Sequence, residues 1–192
     1  MKKIMIIIVL FGGILFAEDE DKPVGYVYAD MVYFTASKTG TTQNFNPKGM
    51  KWAFGYLLGE YTIPMVEIDI STGLEFDFIT NTSAHTKSNV ISSSTGINLG
   101  EVTASIDNIY ALYLKTPISI AGKFDFNTFL GMSSSSLTLK NKDFTISDNQ
   151  TTSFSYGFGL EYMLPQDISL HVSYMQYFAN LSSIDIGLGV KF

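Results

Sequence analysis

The chain has 192 residues, of which 46% are hydrophobic, 14% aromatic and only 16% charged. This composition excludes a disordered tail. A formal charge of -6 without any arginine excludes a basic surface for nucleic acid. The absence of cysteine excludes disulfides, thiolate metal sites and thiol nucleophiles. The length suits one domain.

The first 17 residues have the pattern of a secretory signal peptide. Lys2 and Lys3 form a short positive region, and the apolar run at 4–16 is too short to cross a bilayer core of about 30 Å. Ala17 offers a small residue for cleavage. We therefore predict a signal peptide over residues 1–17 and a mature domain over 18–192. An uncleaved N-terminal anchor is the alternative.

Alternation of apolar and polar residues dominates the rest of the chain. The clearest segment is 66–78, in which Leu74, Phe76 and their apolar neighbours alternate with Glu75 and Asp77. In a strand, these two sets point to opposite faces. The eight segments with this pattern, in chain order, lie around 24–34, 50–61, 66–78, 104–116, 121–133, 152–164, 167–177 and 184–192.

Nearly every charge in these segments lies on the polar face. A lysine that faces lipid at the bilayer midplane costs about 2–4 kcal/mol, so this segregation favours a barrel with an apolar exterior and a polar interior. A secreted soluble β-sandwich or lipocalin-like barrel, which would bury its apolar face, is the alternative. The predicted interior network consists of Asp30, Lys51, Glu67, Asp69, Glu75, Asp77, Asp107, Lys115, Lys123, Asp125, Glu161, His171, Asp185 and Lys191.

The predicted connections alternate in length. Tight turns with proline are expected at 62–64, near Pro117 and at 165–167. Longer polar loops are expected at 35–49, 79–103 and 134–151, with a short connection near 178–183. Short turns on one side and long loops on the other are typical of outer-membrane barrels. The sequence thus predicts an all-β, eight-stranded antiparallel up-and-down transmembrane barrel with both chain ends in the periplasm.

The C-terminal strand resembles the signal by which the barrel assembly machinery recognises its clients, on the residues Asp185, Gly187, Val190 and Phe192. The segments 110–115, 157–162 and 172–174 resemble the small eight-stranded outer-membrane barrel family of OmpA-type transmembrane domains, OmpX-like proteins and opacity-like surface antigens. The resemblance covers the mature chain. The resemblance implies this fold in the outer membrane of a Gram-negative bacterium. Members of the family include adhesins, serum-resistance factors, structural anchors and small channels.

The leading functional hypothesis is a non-enzymatic protein of envelope structure or surface interaction. Loops carry recognition on rigid scaffolds, and the polar loops offer hydrogen bonds to a host or cell-surface ligand. Lysines on the loop side can contact lipopolysaccharide phosphates as point charges. These loop lysines are Lys38, Lys48, Lys87, Lys140 and Lys142. No cofactor and no metal is predicted, because no ligand spacing singles out a site.

Two alternatives stay open. The excess of acid over base on the interior face favours a narrow, cation-preferring channel. His171, Ser173 and Asp185 supply the base, nucleophile and acid of an acyl-transfer enzyme, such as one that modifies lipid A. Against the enzyme, the alternation directs all three side chains into the interior, and Asp185 is expected to pair with about Gln176.

Overall fold

The computed structural model describes residues 25–37, 40–63, 68–120, 122–143 and 145–192. The signal peptide predicted for 1–17 lies outside these ranges. Within them, no helix is long and apolar enough to cross a bilayer. The strands are β1 (Gly25–Ala36), β2 (Lys48–Ile63), β3 (Ile68–Ser83), β4 (His85–Ile91), β5 (Asn98–Ser119), β6 (Phe124–Asn141), β7 (Thr145–Met163), β8 (Ile168–Phe178) and β9 (Leu181–Lys191).

Eight of these strands close into an antiparallel ring, in the order β3-β2-β1-β9-β8-β7-β6-β5, with β5 paired back to β3. The chain ends meet in the ring: the Gly25 amide donates to the Phe192 carbonyl at 2.8 Å, and the Phe192 amide donates to the Gly25 carbonyl at 2.8 Å. This arrangement confirms the predicted eight-stranded antiparallel barrel. β4 pairs with β5 outside the ring.

The alternation of each strand separates an apolar exterior from the interior. On β3, Leu74 and Phe76 face outward, whereas Glu75 and Asp77 are buried inside. On β9, the outward positions are apolar from Ile184 to Val190. Such a continuous apolar surface suits contact with lipid.

The inward orientation predicted for Asp107 is wrong. The pairing of β5 with β6 has a bulge between Ile106 and Ile109. A bulge places an extra residue in one strand, so the two faces exchange at that point. Asp107 is therefore exposed, and Ile106, which the pattern placed on the lipid face, is buried. Lys123 is also wrongly predicted as interior, because it lies exposed in the turn that precedes β6.

The predicted turn near Pro117 lies a few residues further along the chain, between β5 and β6. Pro117 itself is inside β5, opposite Asn127. The ladder between β3 and β5 is interrupted between the pairs Ile70–Ile118 and Gly73–Lys115, so the missing amide of proline falls where no ladder bond forms. The turn predicted at 165–167 is confirmed, and the turn predicted at 62–64 falls at the end of β2, with residue 64 outside the described ranges.

The segments predicted as long loops at 79–103 and 134–151 are largely strand. We call the end of the barrel that carries them the loop end and the opposite end the turn end. At the loop end, β4 and the adjoining parts of β5, β6 and β7 rise above the short β8–β9 hairpin as a projecting sheet. Its inner face carries apolar Val102 and Leu139, and its outer face carries Thr86, Thr103 and Lys140.

Candidate functional site

The barrel interior is divided into two layers of different chemistry. Along β1, Tyr28 and Asp30 are followed toward the loop end by Val32 and Phe34. Likewise, Asp77 of β3 is followed toward the loop end by Ile79, and Asp185 of β9 lies on the turn-end side of Leu181. The charged layer consists of Asp30, Lys51, Glu75, Asp77, Lys115, Asp125, Glu161, His171, Asp185 and Lys191. The apolar layer consists of Val32, Phe34, Phe45, Ile79, Ile109, Met175, Tyr177 and Leu181.

Lys51 is the centre of one half of the charged layer. Its Nζ lies 2.9 Å from Oδ2 of Asp30, 2.9 Å from Oδ2 of Asp185 and 3.9 Å from Oδ2 of Asp77. All four side chains are buried. One ammonium therefore holds three carboxylates together across β1, β2, β3 and β9.

Lys115 is the centre of the other half. Its Nζ lies 3.4 Å from Oε2 of Glu75 and 3.8 Å from Oε2 of Glu161. It also donates to the Tyr28 hydroxyl at 3.0 Å, and that hydroxyl donates to Oε1 of Glu161 at 2.9 Å. The ring centroids of Tyr26 and Tyr28 lie 4.3 and 4.4 Å from the ammonium, within the range of a cation–π contact.

The charged layer reaches the turn end through Lys191. Its Nζ lies 3.1 Å from Oε1 of Glu161 and 3.3 Å from Oδ2 of Asp125, whose other oxygen accepts from Ser119 at 2.7 Å. Glu161 thus joins Lys115 to Lys191. A cavity of about 720 Å³ lies at this end and is lined in part by Lys191, Asp125 and Glu161.

Interior glycines make room for the largest side chains of this layer. A Cβ added at Gly55 would lie 1.9 Å from the Tyr26 ring, and one at Gly189 would lie 2.1 Å from the Tyr28 ring. At Gly187 the added atom would lie 2.1 Å from Oδ1 of Asp30. Small residues opposite large ones are how a narrow barrel fills its interior.

The predicted interior residues divide into three groups. Ten of them form the charged layer, and Asp107 and Lys123 lie outside it. Asp69 is half-buried near the turn end of β3, and Glu67 lies outside the described residues. The predicted network omits Tyr26, Tyr28 and Asn127, although the same alternation places them inside, because it was limited to acidic residues, lysines and His171. Asn127 Nδ2 donates to Oε2 of Glu161 at 3.2 Å.

The predicted pairing of Asp185 with about Gln176 is wrong. β8 and β9 turn at 179–180 with a bulge near Gln176, and Asp185 pairs with Ser173. His171 instead directs Nε2 at Oδ1 of Asp30, 2.9 Å away. Since Asp185 is held by Lys51 and all these side chains lie inside the barrel, His171, Ser173 and Asp185 form no nucleophilic site on the lipid-facing surface.

The apolar layer crosses the barrel between the charged layer and the loop end. Phe34, Phe45 and Tyr177 are almost completely buried within it. Phe45 comes from the connection between β1 and β2, which folds inward over the ring. Tyr113 lies at the border of the two layers, where its hydroxyl lies 2.7 Å from the Ser155 hydroxyl. The inner face of the projecting sheet continues this packing with Val90, Val102, Ala104, Ile106, Leu137 and Leu139.

The loop lysines do not share one face. Lys48 begins β2 and places Nζ 5.4 Å from the centroid of the Tyr33 ring. Lys140 and Lys142 are exposed at the end of β6 and in the connection after it. Lys87 is half-buried on β4, opposite Val102. Lys38 lies outside the described residues.

The residues of the C-terminal pattern have separate places in the closed barrel. Asp185 contacts Lys51, and Gly187 leaves space for Asp30. Val190 and Phe192 face outward. Asp185 and Gly187, which face inward, therefore have a structural role in the finished barrel.

A family model for the outer membrane protein beta-barrel domain matches residues 6–192. The chain belongs to this family. Membership assigns the chain to the bacterial outer membrane. Outer-membrane barrels place their short turns in the periplasm, so the loop end is the one that faces outward from the cell. A search of curated proteins returned no match.

Solved structures share the fold of this outer-membrane barrel at low sequence identity. Ail, the attachment invasion locus protein of Yersinia pestis, was solved with the heparin analogue sucrose octasulfate. It gives a TM-score of 0.59 at 12% identity, over 90% of this chain and 100% of Ail. Neisserial surface protein A gives a TM-score of 0.51 at 15% identity, over 90% of this chain and 100% of that protein.

Proposed function

We propose that this outer-membrane barrel is a non-enzymatic surface protein, in which a closed barrel anchors the projecting sheet that contacts ligands outside the cell. The observation that carries the proposal is the apolar layer. Because Phe34, Phe45 and Tyr177 fill the interior below the loop end, the barrel serves as a support. The projecting sheet then offers the surface that is available for recognition.

A cation-preferring channel is the second candidate. The charged layer has six carboxylates against three lysines, which favours cations. A cation that entered from the turn end would next meet the apolar layer, where it would lose its water and gain only scattered hydroxyls, such as those of Ser183 and Tyr177. This cost ranks the channel below the surface protein.

The outer face of the projecting sheet is the proposed contact surface. The hydroxyls of Thr86 and Thr103 lie 2.8 Å apart on neighbouring strands, and Lys140 follows in the same cross-strand row. Hydroxyls and an ammonium on one flat face suit a polar or anionic ligand. Lys140, Lys142 and Lys48 are in addition proposed to contact lipopolysaccharide phosphates, and the C-terminal pattern is proposed as the signal for the barrel assembly machinery.

The proposal is tested with cells that display the full chain, using cultured epithelial cells as the probe. We expect adherence above that of cells without the protein. The triple variant Thr86→Glu, Thr103→Glu and Lys140→Glu should lose it, and Lys123→Glu, at the turn end, should retain it. A heat-dependent gel shift confirms folding of each variant. Equal adherence with and without the protein, or with the triple variant, contradicts the proposal.

The lipopolysaccharide contact has its own test. In bilayers that contain lipopolysaccharide, Lys140→Gln combined with Lys142→Gln should lower the midpoint of thermal unfolding, whereas Lys123→Gln should not. In phospholipid alone, both variants should match the wild type. An equal response of both variants in lipopolysaccharide contradicts the contact.

A further inference from the structure

The connection between β1 and β2 lies as a strap, residues 40–46, along the edge of β4. The Thr42 amide donates to the Ile91 carbonyl at 3.0 Å, and the Ser93 amide donates to the Gly40 carbonyl at 3.0 Å. Gln43 Nε2 donates to the Asn89 carbonyl at 3.3 Å. The strap therefore covers a strand edge that would otherwise be available for pairing.

His85, the first residue of β4, holds the end of the strap. The Asn46 amide donates to Nδ1 of His85 at 3.1 Å. A backbone amide can only donate, so this bond requires Nδ1 without a proton. The His85 ring also meets the ring of Phe45 edge-on, with 6.2 Å between centroids. Phe45 is fully buried. His85 therefore contacts the side chain that the strap inserts into the apolar layer.

We propose that the strap is a pH-sensitive cover, released when Nδ1 of His85 takes up a proton. Protonation removes the acceptor of the Asn46 amide and places two donors against each other. A histidine side chain ordinarily titrates between about pH 5 and 8, so mild acid is sufficient to test the response. The proposal stands whether or not the projecting sheet binds a ligand.

The surroundings of His85 do not compensate a positive charge. From β5, Ala104 lies opposite His85, and Leu139 of β6 follows in the same row. On β4 itself, Lys87 lies two residues along the same face and adds a like charge. The strap contributes Phe45 and Asn46. Glu101 is the neighbour of inward-facing Val102 along β5, so its side chain lies on the opposite face. Among the described residues of these elements, no carboxylate therefore shares the face of His85.

The test is amide hydrogen exchange of the full chain, refolded in micelles, at about pH 7.5 and about pH 5. We expect the protection factors of Thr42 and Asn46, corrected for intrinsic rates, to fall about tenfold in acid, the scale of one lost hydrogen bond. Amides of β9 should keep their protection. Equal protection of the strap at both values overturns the proposal.

Three variants identify the group that titrates. His85→Asn places an amide oxygen near the position of Nδ1, so the strap should stay protected in acid. His85→Ala has no acceptor and should give low protection at both values, which keeps the proposal testable if His85→Asn does not fold. His171→Asn changes the other histidine and should keep the response of the wild type. A response that survives in His85→Asn, or is lost in His171→Asn, overturns the proposal.

Discussion

The two layers of the barrel interior stabilise the same ring of strands by different interactions. In the charged layer, Lys51 and Lys115 each contact carboxylates from several strands. In the apolar layer, Phe34 and Phe45 fill space without needing a specific partner. Removal of one charge leaves its partners charged and buried, whereas removal of one apolar side chain leaves a cavity. The charged layer thus depends on individual residues, and the apolar layer depends on total volume.

The largest effect is expected at the centre of the charged layer. Lys51→Met leaves Asp30, Asp77 and Asp185 without their shared cation, and breaking a buried pair in this way costs about 3–5 kcal/mol. The free energy of unfolding in urea, measured in lipid vesicles, should fall by that amount. Lys123→Met, in the exposed turn, is the control and should not change it. A loss below about 1 kcal/mol would show that the carboxylates have other partners.

A cavity in the apolar layer should cost somewhat less. Ile109→Ala removes a fully buried side chain, and such changes cost about 3 kcal/mol. Leu112, on the same strand, faces outward, so Leu112→Ala leaves a gap that lipid can fill and should cost less. The same urea titration compares the two. Equal losses would contradict the division of β5 into interior and lipid faces.

Overpacking of the charged layer should have an intermediate effect. A Cβ at Gly187 meets Oδ1 of Asp30 at 2.1 Å and the Ala29 carbonyl at 2.3 Å. Gly187→Ala should therefore cost about 2 kcal/mol, the usual range for an extra methyl group in a packed interior. Gly59→Ala is the matched control, since nothing lies within 4 Å of its added Cβ. If both variants unfold at the same urea concentration, the close approach to Asp30 is not limiting.

The smallest effect is expected at the turn end. Lys191→Gln removes the ion pairs of Lys191 with Glu161 and Asp125. Glu161 retains its ion pair with Lys115, and Asp125 retains the hydrogen bond from Ser119. Water reaches this site through the adjoining cavity, so the loss should be about 1 kcal/mol and should shrink at high salt. Urea titrations at low and high salt measure it. A large, salt-independent loss would place Lys191 with the buried charges.

Alternation along the chain was sufficient to predict the ring of strands and most of the charged layer. Asp107 was misplaced because a bulge exchanges the two faces of β5, and no residue in 104–109 is a glycine or proline that would mark one. The projecting sheet was missed because its segments are rich in serine, threonine and asparagine, whose composition favours loops. The pairing of Asp185 was misplaced because it depends on the exact turn position and on a bulge near Gln176, which shifts the register of the hairpin.

The apolar layer could not be recognised from single strands. Val32 and Phe34 continue the inward positions of β1, but nothing local distinguishes them from residues of a soluble core. Phe45 enters from a connection, where alternation gives no information. Closure of the interior is a property of residues brought together from six or more separate segments, so it became visible only in the assembled barrel.

The central claim is that the apolar layer closes the barrel, and single-channel conductance of the refolded full chain in a planar bilayer tests it most directly. A heat-dependent gel shift first confirms that the protein is folded. We expect no discrete conductance steps at low or high salt, because Phe34, Phe45 and Tyr177 separate the charged layer from the loop end. Reproducible, cation-selective steps would contradict closure and favour transport as the function.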